Sequence, residues 1–272
     1  AAQIRENGLL ITIKGSSVHY YKYTAFKAAA ERVGEKRTKE RNDALMESPY
    51  FFAIDFDGTV TDADIIDTVL QRFADPAWQE VETQWERGLI GSRQCLETQM
   101  SLVDSSLAGL LDYIDEFAID ESFRDFIALL AERQIPYAII SDGFRVFIER
   151  LLATAGLKRL PVYANELREE NTGLKTLFPY SRPDCDAANC KCDVVARLSG
   201  ERPVILIGDG RSDFCIARKA NHVFTKNTLT GHCRANSIPH TPFDSFSEIT
   251  AFLKAQSRTR PPLLQSVAGG KD

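Results

Sequence analysis

Tyr50-Phe51-Phe52-Ala53-Ile54-Asp55-Phe56-Asp57-Gly58-Thr59 reads as a buried strand that runs straight into an acidic turn. A continuous apolar run of this length is what a parallel strand covered on both faces requires. On such a strand residues two apart share a face, so the Asp55 and Asp57 carboxylates start on the same side. Gly58 lets the backbone turn away and approach a ligand closely, so the two acids diverge. One is then free to attack and the other to handle protons. A carboxylate is an effective covalent nucleophile towards phosphorus. Clustered acidic oxygens also suit a hard cation, magnesium (Mg2+) above all.

Two more apolar runs end in the same way. Tyr137 to Ile140 leads into Ser141-Asp142-Gly143, and Val204 to Ile207 leads into Gly208-Asp209-Gly210, with Asp213 close behind. Each cluster taken alone is a good turn. Three of them, each after a buried strand, belong together, because open α/β sheets bind ligands at the carboxyl ends of their strands. Helical periodicity fills the stretches between: Ile65 to about Phe126, Phe123 to Arg133, Phe144 to Ala155, Asp193 to Leu198 and Phe246 to Gln256. Residues 160–182 alternate around the turn-like Glu170-Asn171-Thr172-Gly173, which suggests a hairpin or short strands, and Val223-Phe224 suggests a further strand. The fold expected is α/β, a Rossmann-like three-layer core around a parallel sheet. Residues 48–62 and 123–257 form that core, and the long insertion 63–122 forms a helical cap.

Residues 1–47 read as a solvated, partly disordered extension with a basic run from Tyr23 to Met46, a partner-binding helix being the alternative, and 258–272 as a tail. Leu9 to Ile13 could instead pair with a sheet edge. The chain is mildly acidic, with net charge -5 and pI about 5.5, so it has no electrostatic reason to seek nucleic acid or an anionic membrane. No apolar run is long enough to span a bilayer and none reads as an export signal. A cytoplasmic enzyme with reduced thiols is the expectation. Cys185, Cys190 and Cys192 are spaced either as a cysteine-rich loop or as the start of a zinc site, with His222, His232 or Cys233 as distant candidates for a fourth ligand. Trp78 and Trp85, seven apart, share a helical face that suits packing within the cap.

Asp55-Phe56-Asp57-Gly58-Thr59-Val60-Thr61, Ser141, Lys191, and Gly208-Asp209 with Asp213 together resemble the four motifs of the haloacid dehalogenase superfamily phosphatases. The resemblance covers residues 50 to about 255. It implies that Asp55 attacks phosphorus and that Asp57 acts as acid and then base. Ser141 would bind phosphoryl oxygens and Lys191 would balance charge. Magnesium would be held by Asp55, the Asp57 carbonyl, Asp209 and Asp213. Gly58, Thr59, Asp64, Asp142 and Gly143 would contact substrate.

The helical insert resembles the cap of the phosphoserine-phosphatase-like branch. Within that branch the likeness runs to the methionine-salvage phosphatases acting on 2-hydroxy-3-keto-5-methylthiopentenyl phosphate, through Asp55 to Asp67, Pro76-Ala77-Trp78, the Cys190-Lys191-Cys192 region before a helix, and Ile207 to Asp213. Asp64 stands where phosphoserine phosphatases carry glutamate, which favours the salvage type. Phosphoserine and other small phosphate esters remain alternatives, as does an inactive phosphatase-fold binding protein. The absence of lysine from 62–122 argues against phosphonate cleavage through an imine. A small phosphorylated metabolite is the partner expected, and a homodimer is compatible with the sequence.

Overall fold

The computed structural model describes residues 2–6, 9–14, 17–22, 50–171 and 173–255. The chain divides into two units, residues 1–47 and 48–272. In the first, β1 (Ala2–Glu6), β2 (Leu9–Lys14) and β3 (Ser17–Lys22) form an antiparallel sheet in chain order. This departs from the solvated extension expected there. The signal was present in the sequence: Leu9-Leu10-Ile11-Thr12-Ile13 is rich in strand-forming apolar residues, and Asn7-Gly8, the strongest two-residue hairpin dipeptide, separates β1 from β2. Leu9 to Ile13 pairs within this sheet, with β1 on one side and β3 on the other. The basic run from Tyr23 to Met46 and the tail 258–272 lie outside the described residues.

The second unit holds β4 (Phe51–Ile54), β5 (Tyr137–Phe144), β6 (Val162–Glu170), β7 (Gly173–Leu177), β8 (Val204–Gly208), β9 (His222–Thr225) and β10 (His240–Pro242). Their order across the sheet is β10-β9-β8-β4-β5-β6-β7, parallel throughout except for the β6–β7 hairpin. The strand that opened the sequence argument is therefore central, flanked by the two others that end in polar clusters. All four residues of β4 are buried, and their alternation splits them between layers. Phe52 and Ile54 join one apolar cluster with Phe126, Phe147 and Phe246, while Phe51 and Ala53 join another with Val194, Ile216 and Leu229. Helices thus cover both faces, as a sheet of parallel strands demands.

Helices α1 (Ile65–Phe73), α2 (Trp78–Glu86), α3 (Ser92–Ser101) and α4 (Leu107–Ile114) lie between β4 and α5 (Phe123–Glu132). The covering helices continue with α6 (Arg145–Thr154), α7 (Lys191–Ser199), α8 (Phe214–Ala217), α9 (Asn227–Ala235) and α10 (Phe246–Ala255). Strand β5 runs four residues past the apolar Ile140 and shifts register before Phe144, which carries Ser141 and Asp142 to the sheet edge. Among the described residues, no helix is long and apolar enough to cross a membrane.

Candidate active site

Asp55 follows the last residue of β4, and its N–H donates to the Ile207 carbonyl of β8 at 2.9 Å. Asp55 is 4% exposed, and its carboxylate accepts a hydrogen bond from Lys191 Nζ at 2.7 Å. Lys191 opens α7 and is itself buried; its ammonium also donates to Asp213 Oδ1 at 2.7 Å and to Ser212 Oγ at 3.1 Å. Three acceptors thus take the three protons of one ammonium. Burial alone would favour a neutral Lys191, but the Asp213 and Asp55 carboxylates outweigh it and hold the pKa above the ordinary lysine value. Asp213 is fully buried, and its second oxygen accepts from the Asp209 N–H at 3.2 Å.

One cation faces several carboxylates. Burial, with Asp209 adding repulsion, pushes Asp55 up to about 6 despite Lys191, and burial with Asp55 pushes Asp213 up to about 7. Asp209 is raised by burial and by Asp213. Ligand oxygens of Asp55, Asp209 and Asp213 lie within 4.8 Å of one another. The donor set is all oxygen and its negative charge is only partly balanced, which fits a magnesium ion.

Asp57 sits in a different environment. It accepts from Ser141 Oγ at 3.1 Å, but burial and then the charges of Asp64 and Asp55 raise its pKa well above the ordinary carboxylate value. Ser141 Oγ accepts in turn from the Gly143 N–H at 2.8 Å. Gly143 is required by packing, since a Cβ there would run into Asp57 Oδ2. Gly58 has φ +70°, and a Cβ on it would run into Asp209 Oδ2.

Asp55, Asp57, Ser141, Asp142, Gly143 and Asp209 line the core side of one cleft of about 410 Å3 that helices α1 to α3 also border, while the buried Lys191 and Asp213 sit behind that lining and meet it through Asp55 and Asp209. Asp64 lines it too, while its Oδ1 caps α1 by accepting from the Asp67 N–H at 3.1 Å. Two residues expected to contact substrate do not border this cleft. Thr59 is fully buried, its hydroxyl 3.4 Å from Asp209 Oδ1 and its carbonyl taken by Lys226 at 3.2 Å. Gly58 borders a separate pocket beside Lys226 and Asn227. The turn after Asp57 folds back through hydrogen bonds of Thr59, Val60 and Thr61 to the Phe56 carbonyl, which draws both residues away from the opening.

Asp142 reaches the cleft but spends both oxygens on protein. Oδ2 accepts from Ser92 Oγ at 2.6 Å and Oδ1 from the Asn189 N–H at 3.1 Å, and Ser92 Oγ accepts from the Ala188 N–H at 2.9 Å. The first residue of α3 is thereby tied to the loop that delivers Lys191. Nothing local in the sequence marks Ser92 or Asn189 for this role.

Trp78 packs in the apolar core of the unit, whereas Trp85 lines the cleft with the Arg211 guanidinium 5.7 Å from its ring centroid. Packing within the cap therefore describes the first tryptophan and not the second. Among the described residues the one group of three side chains close enough to share a metal ion is the aspartate set, and Cys185, Cys190 and Cys192 are not gathered into such a group. Cys190 and Cys192 flank Lys191 at the start of α7, where residues two apart point in different directions.

The model of the haloacid dehalogenase-like hydrolases matches residues 52–218, from β4 through the turn that carries Asp213. A curated relative from Bacillus cereus (strain B4264), named 2-hydroxy-3-keto-5-methylthiopentenyl-1-phosphate phosphatase, is 29% identical over 206 residues, 74% of this chain and 94% of its own. A relative of the same name from Bacillus thuringiensis (strain Al Hakam) is 28% identical over 209 residues with the same coverage. Among solved structures, a phosphoserine phosphatase captured as a phospho-aspartyl intermediate analogue aligns with TM-score 0.58 at 19% identity, over 74% of this chain and 97% of that one. A phosphoserine phosphatase from T. onnurineus aligns with TM-score 0.60 at 15% identity, over 79% and 100%. The family match spans the strands that bring Asp55 to Asp209 and Asp213, and on that ground the chain belongs to the haloacid dehalogenase-like hydrolases and is a phosphatase.

Proposed function

We propose that this phosphatase hydrolyses small-molecule phosphate monoesters with magnesium, through a phosphoenzyme formed on Asp55. The observation that carries the reading is the unequal environment of the two acids after β4. Asp55 is paired with an ammonium, which favours the anion, whereas Asp57 faces other carboxylates, which favours the acid. Two neighbouring carboxyl groups pushed apart in this way suit a nucleophile and a proton donor.

Lys191 occupies Asp55 Oδ1, so Oδ2 is the oxygen left to attack phosphorus. As the P–O bond to the alcohol breaks, Asp57 gives its proton to the departing oxygen. The Asp57 carboxylate then takes a proton from the water that attacks the phosphoenzyme, which releases inorganic phosphate and restores Asp55. Ser141 steers Asp57 through its hydrogen bond, and Ser212 and Asp213 steer Lys191. Asp55, Asp209, Asp213 and the Asp57 carbonyl would hold the magnesium ion. When bound, that ion supplies the positive charge an anionic nucleophile needs to approach an anionic ester.

The name shared by the curated relatives supports one concrete substrate candidate, the methylthiopentenyl ester of methionine salvage. The reaction itself is tested with Asp55→Asn. Phosphate release should fall on the order of a thousandfold or more while the melting temperature stays close to that of the parent. Near-parental release by a folded variant would remove Asp55 as nucleophile. In the parent, exhaustive chelation should abolish turnover, magnesium should restore it and calcium should not, because calcium takes more ligands at longer distances. Full activity after chelation would sink the cofactor assignment.

A further inference from the structure

Asn189 is 1% exposed and lies outside the lining of the cleft, yet it is bonded to two residues within that lining. Its N–H donates to Asp142 Oδ1 at 3.1 Å. Its side-chain Nδ2 donates to the Ser141 carbonyl at 3.0 Å and to the Tyr163 carbonyl at 2.9 Å. Asn165 on β6, fully buried, adds a bond from its own Nδ2 to the Asp142 carbonyl at 2.6 Å. The two amides meet β5 where its pairing is irregular: from Ile140 to Phe144 it advances four residues while β6 advances two, from Tyr163 to Asn165. A strand end that slips register in this way depends on the side chains that reach it as well as on the ladder. Among the described residues neither Asn189 Oδ1 nor Asn165 Oδ1 has a hydrogen-bond partner, so both buried side chains serve as donors alone.

We propose that Asn189 is a positioning residue for the proton donor: it holds the Ser141 backbone, which sets the Ser141 hydroxyl and, through that hydroxyl, the Asp57 carboxyl. The inference rests on the reading of Asp57 as the acid that protonates the leaving oxygen. Ser141 Oγ donates to Asp57 Oδ2 at 3.1 Å and accepts from the Gly143 N–H at 2.8 Å. A hydroxyl is placed only as well as the backbone that carries it, and proton transfer is sensitive to small displacements. The end of β5 also packs directly on the acid, since a Cβ on Gly143 would lie 2.3 Å from Asp57 Oδ2 and 3.1 Å from Ser141 Oγ. A shift of that strand end therefore moves Asp57. The Asn189 carbonyl accepts from the Lys191 N–H at 2.8 Å, but any residue at this position offers that carbonyl. What the asparagine side chain contributes is the bond to Ser141 and its anchor on Tyr163.

The test compares kcat/KM of the magnesium-loaded protein for two esters of nearly the same shape. The weakly basic leaving group of p-nitrophenyl phosphate departs with little help from a proton, whereas the more basic one of phenyl phosphate needs that help. This ratio reports the step in which the leaving group departs, so hydrolysis of the phosphoenzyme common to both esters does not enter it. Asp57→Asn and Ser141→Ala set the scale. Asn189→Ala should lower the value for phenyl phosphate by about fivefold or more beyond its effect on p-nitrophenyl phosphate. Asn189→Ser, whose hydroxyl can donate to one carbonyl, should fall between Asn189→Ala and the parent. A side chain that only holds the sheet together would lower both esters by the same factor. That uniform loss in Asn189→Ala, beside graded losses in Asp57→Asn and Ser141→Ala, overturns the inference and leaves the acid reading standing. A graded loss in Asn189→Ala without one in Ser141→Ala overturns the route through Ser141. Uniform losses in all three variants remove the acid reading and the inference with it. If Asn189→Ala does not fold, the comparison passes to Asn189→Ser, and failure of both to fold makes Asn189 a folding residue and overturns the inference as well.

Discussion

The floor of the cleft and its cap wall are both acidic, yet they treat their acids in opposite ways. On the floor, Asp55 and Asp213 share a buried ammonium, and Asp213 and Asp209 are joined through a backbone hydrogen bond. On the wall, Asp67 of α1 and Glu82 and Glu86 of α2 neighbour one another, with the Gln99 amide and the Cys95 thiol donating to Glu82. The floor is built from strand ends that the sheet holds in register. The wall is built from short helices whose relative position depends on packing and on the Ser92–Asp142 tie. The difference suits a division of labour in which the rigid floor performs the chemistry and the wall selects what is attached to the phosphate.

Lys191→Met attacks the floor where it is most dependent on one residue. Two buried carboxylates lose their shared cation, so stability should fall by about 3–5 kcal/mol, and turnover should fall with it. Denaturant melts and phosphate release check both, and a stable, active variant would show that floor and wall are less different than their contacts suggest.

Ser92→Ala cuts the tie between them. The Asp142 carboxylate loses a 2.6 Å hydrogen bond and the Ala188 N–H loses its acceptor, at a cost of about 1–3 kcal/mol. Because α3 forms part of the wall, KM should rise by a larger factor than kcat falls. An effect confined to kcat would place Ser92 in the chemistry instead.

Asp67→Asn should do the reverse of Lys191→Met and stabilise the protein. The folded pKa of Asp67 is about 6 against an ordinary 3.8, chiefly through burial. A raised carboxyl pKa means that the folded state favours the proton, so the associated stability is present below about pH 4 and is lost as pH rises through 6. The variant should therefore melt about 2–4 °C above the parent at pH 8, a gain of about 1 kcal/mol once solvent screening is allowed for. The gain should vanish near pH 4. Melting curves at the two pH values settle it, and no difference at pH 8 would mean that the wall is already neutralised within the protein.

Much of the floor was legible from local sequence. Asp55, Asp57, Ser141 and Asp209 stand directly after apolar strands, and the rule that ligands gather at strand carboxyl ends is enough to group them. The hairpin and the strand at Val223-Phe224 were legible through alternation and turn residues. Strands β1 to β3 stand where a solvated extension is expected although Asn7-Gly8 announces a hairpin, because the charged stretch that follows dominates the composition of residues 1–47. Strand β10 is short, with half-exposed residues and a proline, and presents no periodicity to read.

Amino-acid order by itself determined the α/β alternation, the central buried strand and the acids at its end, since a period of two residues and a run of apolar side chains are local properties. Tertiary structure alone decided which of those residues open onto the cleft. Thr59 and Gly58 belong to the same motif as Asp57 yet turn away from it, because the backbone after Asp57 bonds back to Phe56. Ser92, Glu82 and Trp85 come from helices with no motif at all, and they reach the cleft only because α2 and α3 pack over the sheet edge. Helical periodicity specifies which face of a helix is buried and leaves open what the remaining faces meet. That is set by long-range contacts such as the Ser92–Asp142 hydrogen bond, between residues fifty apart in the chain.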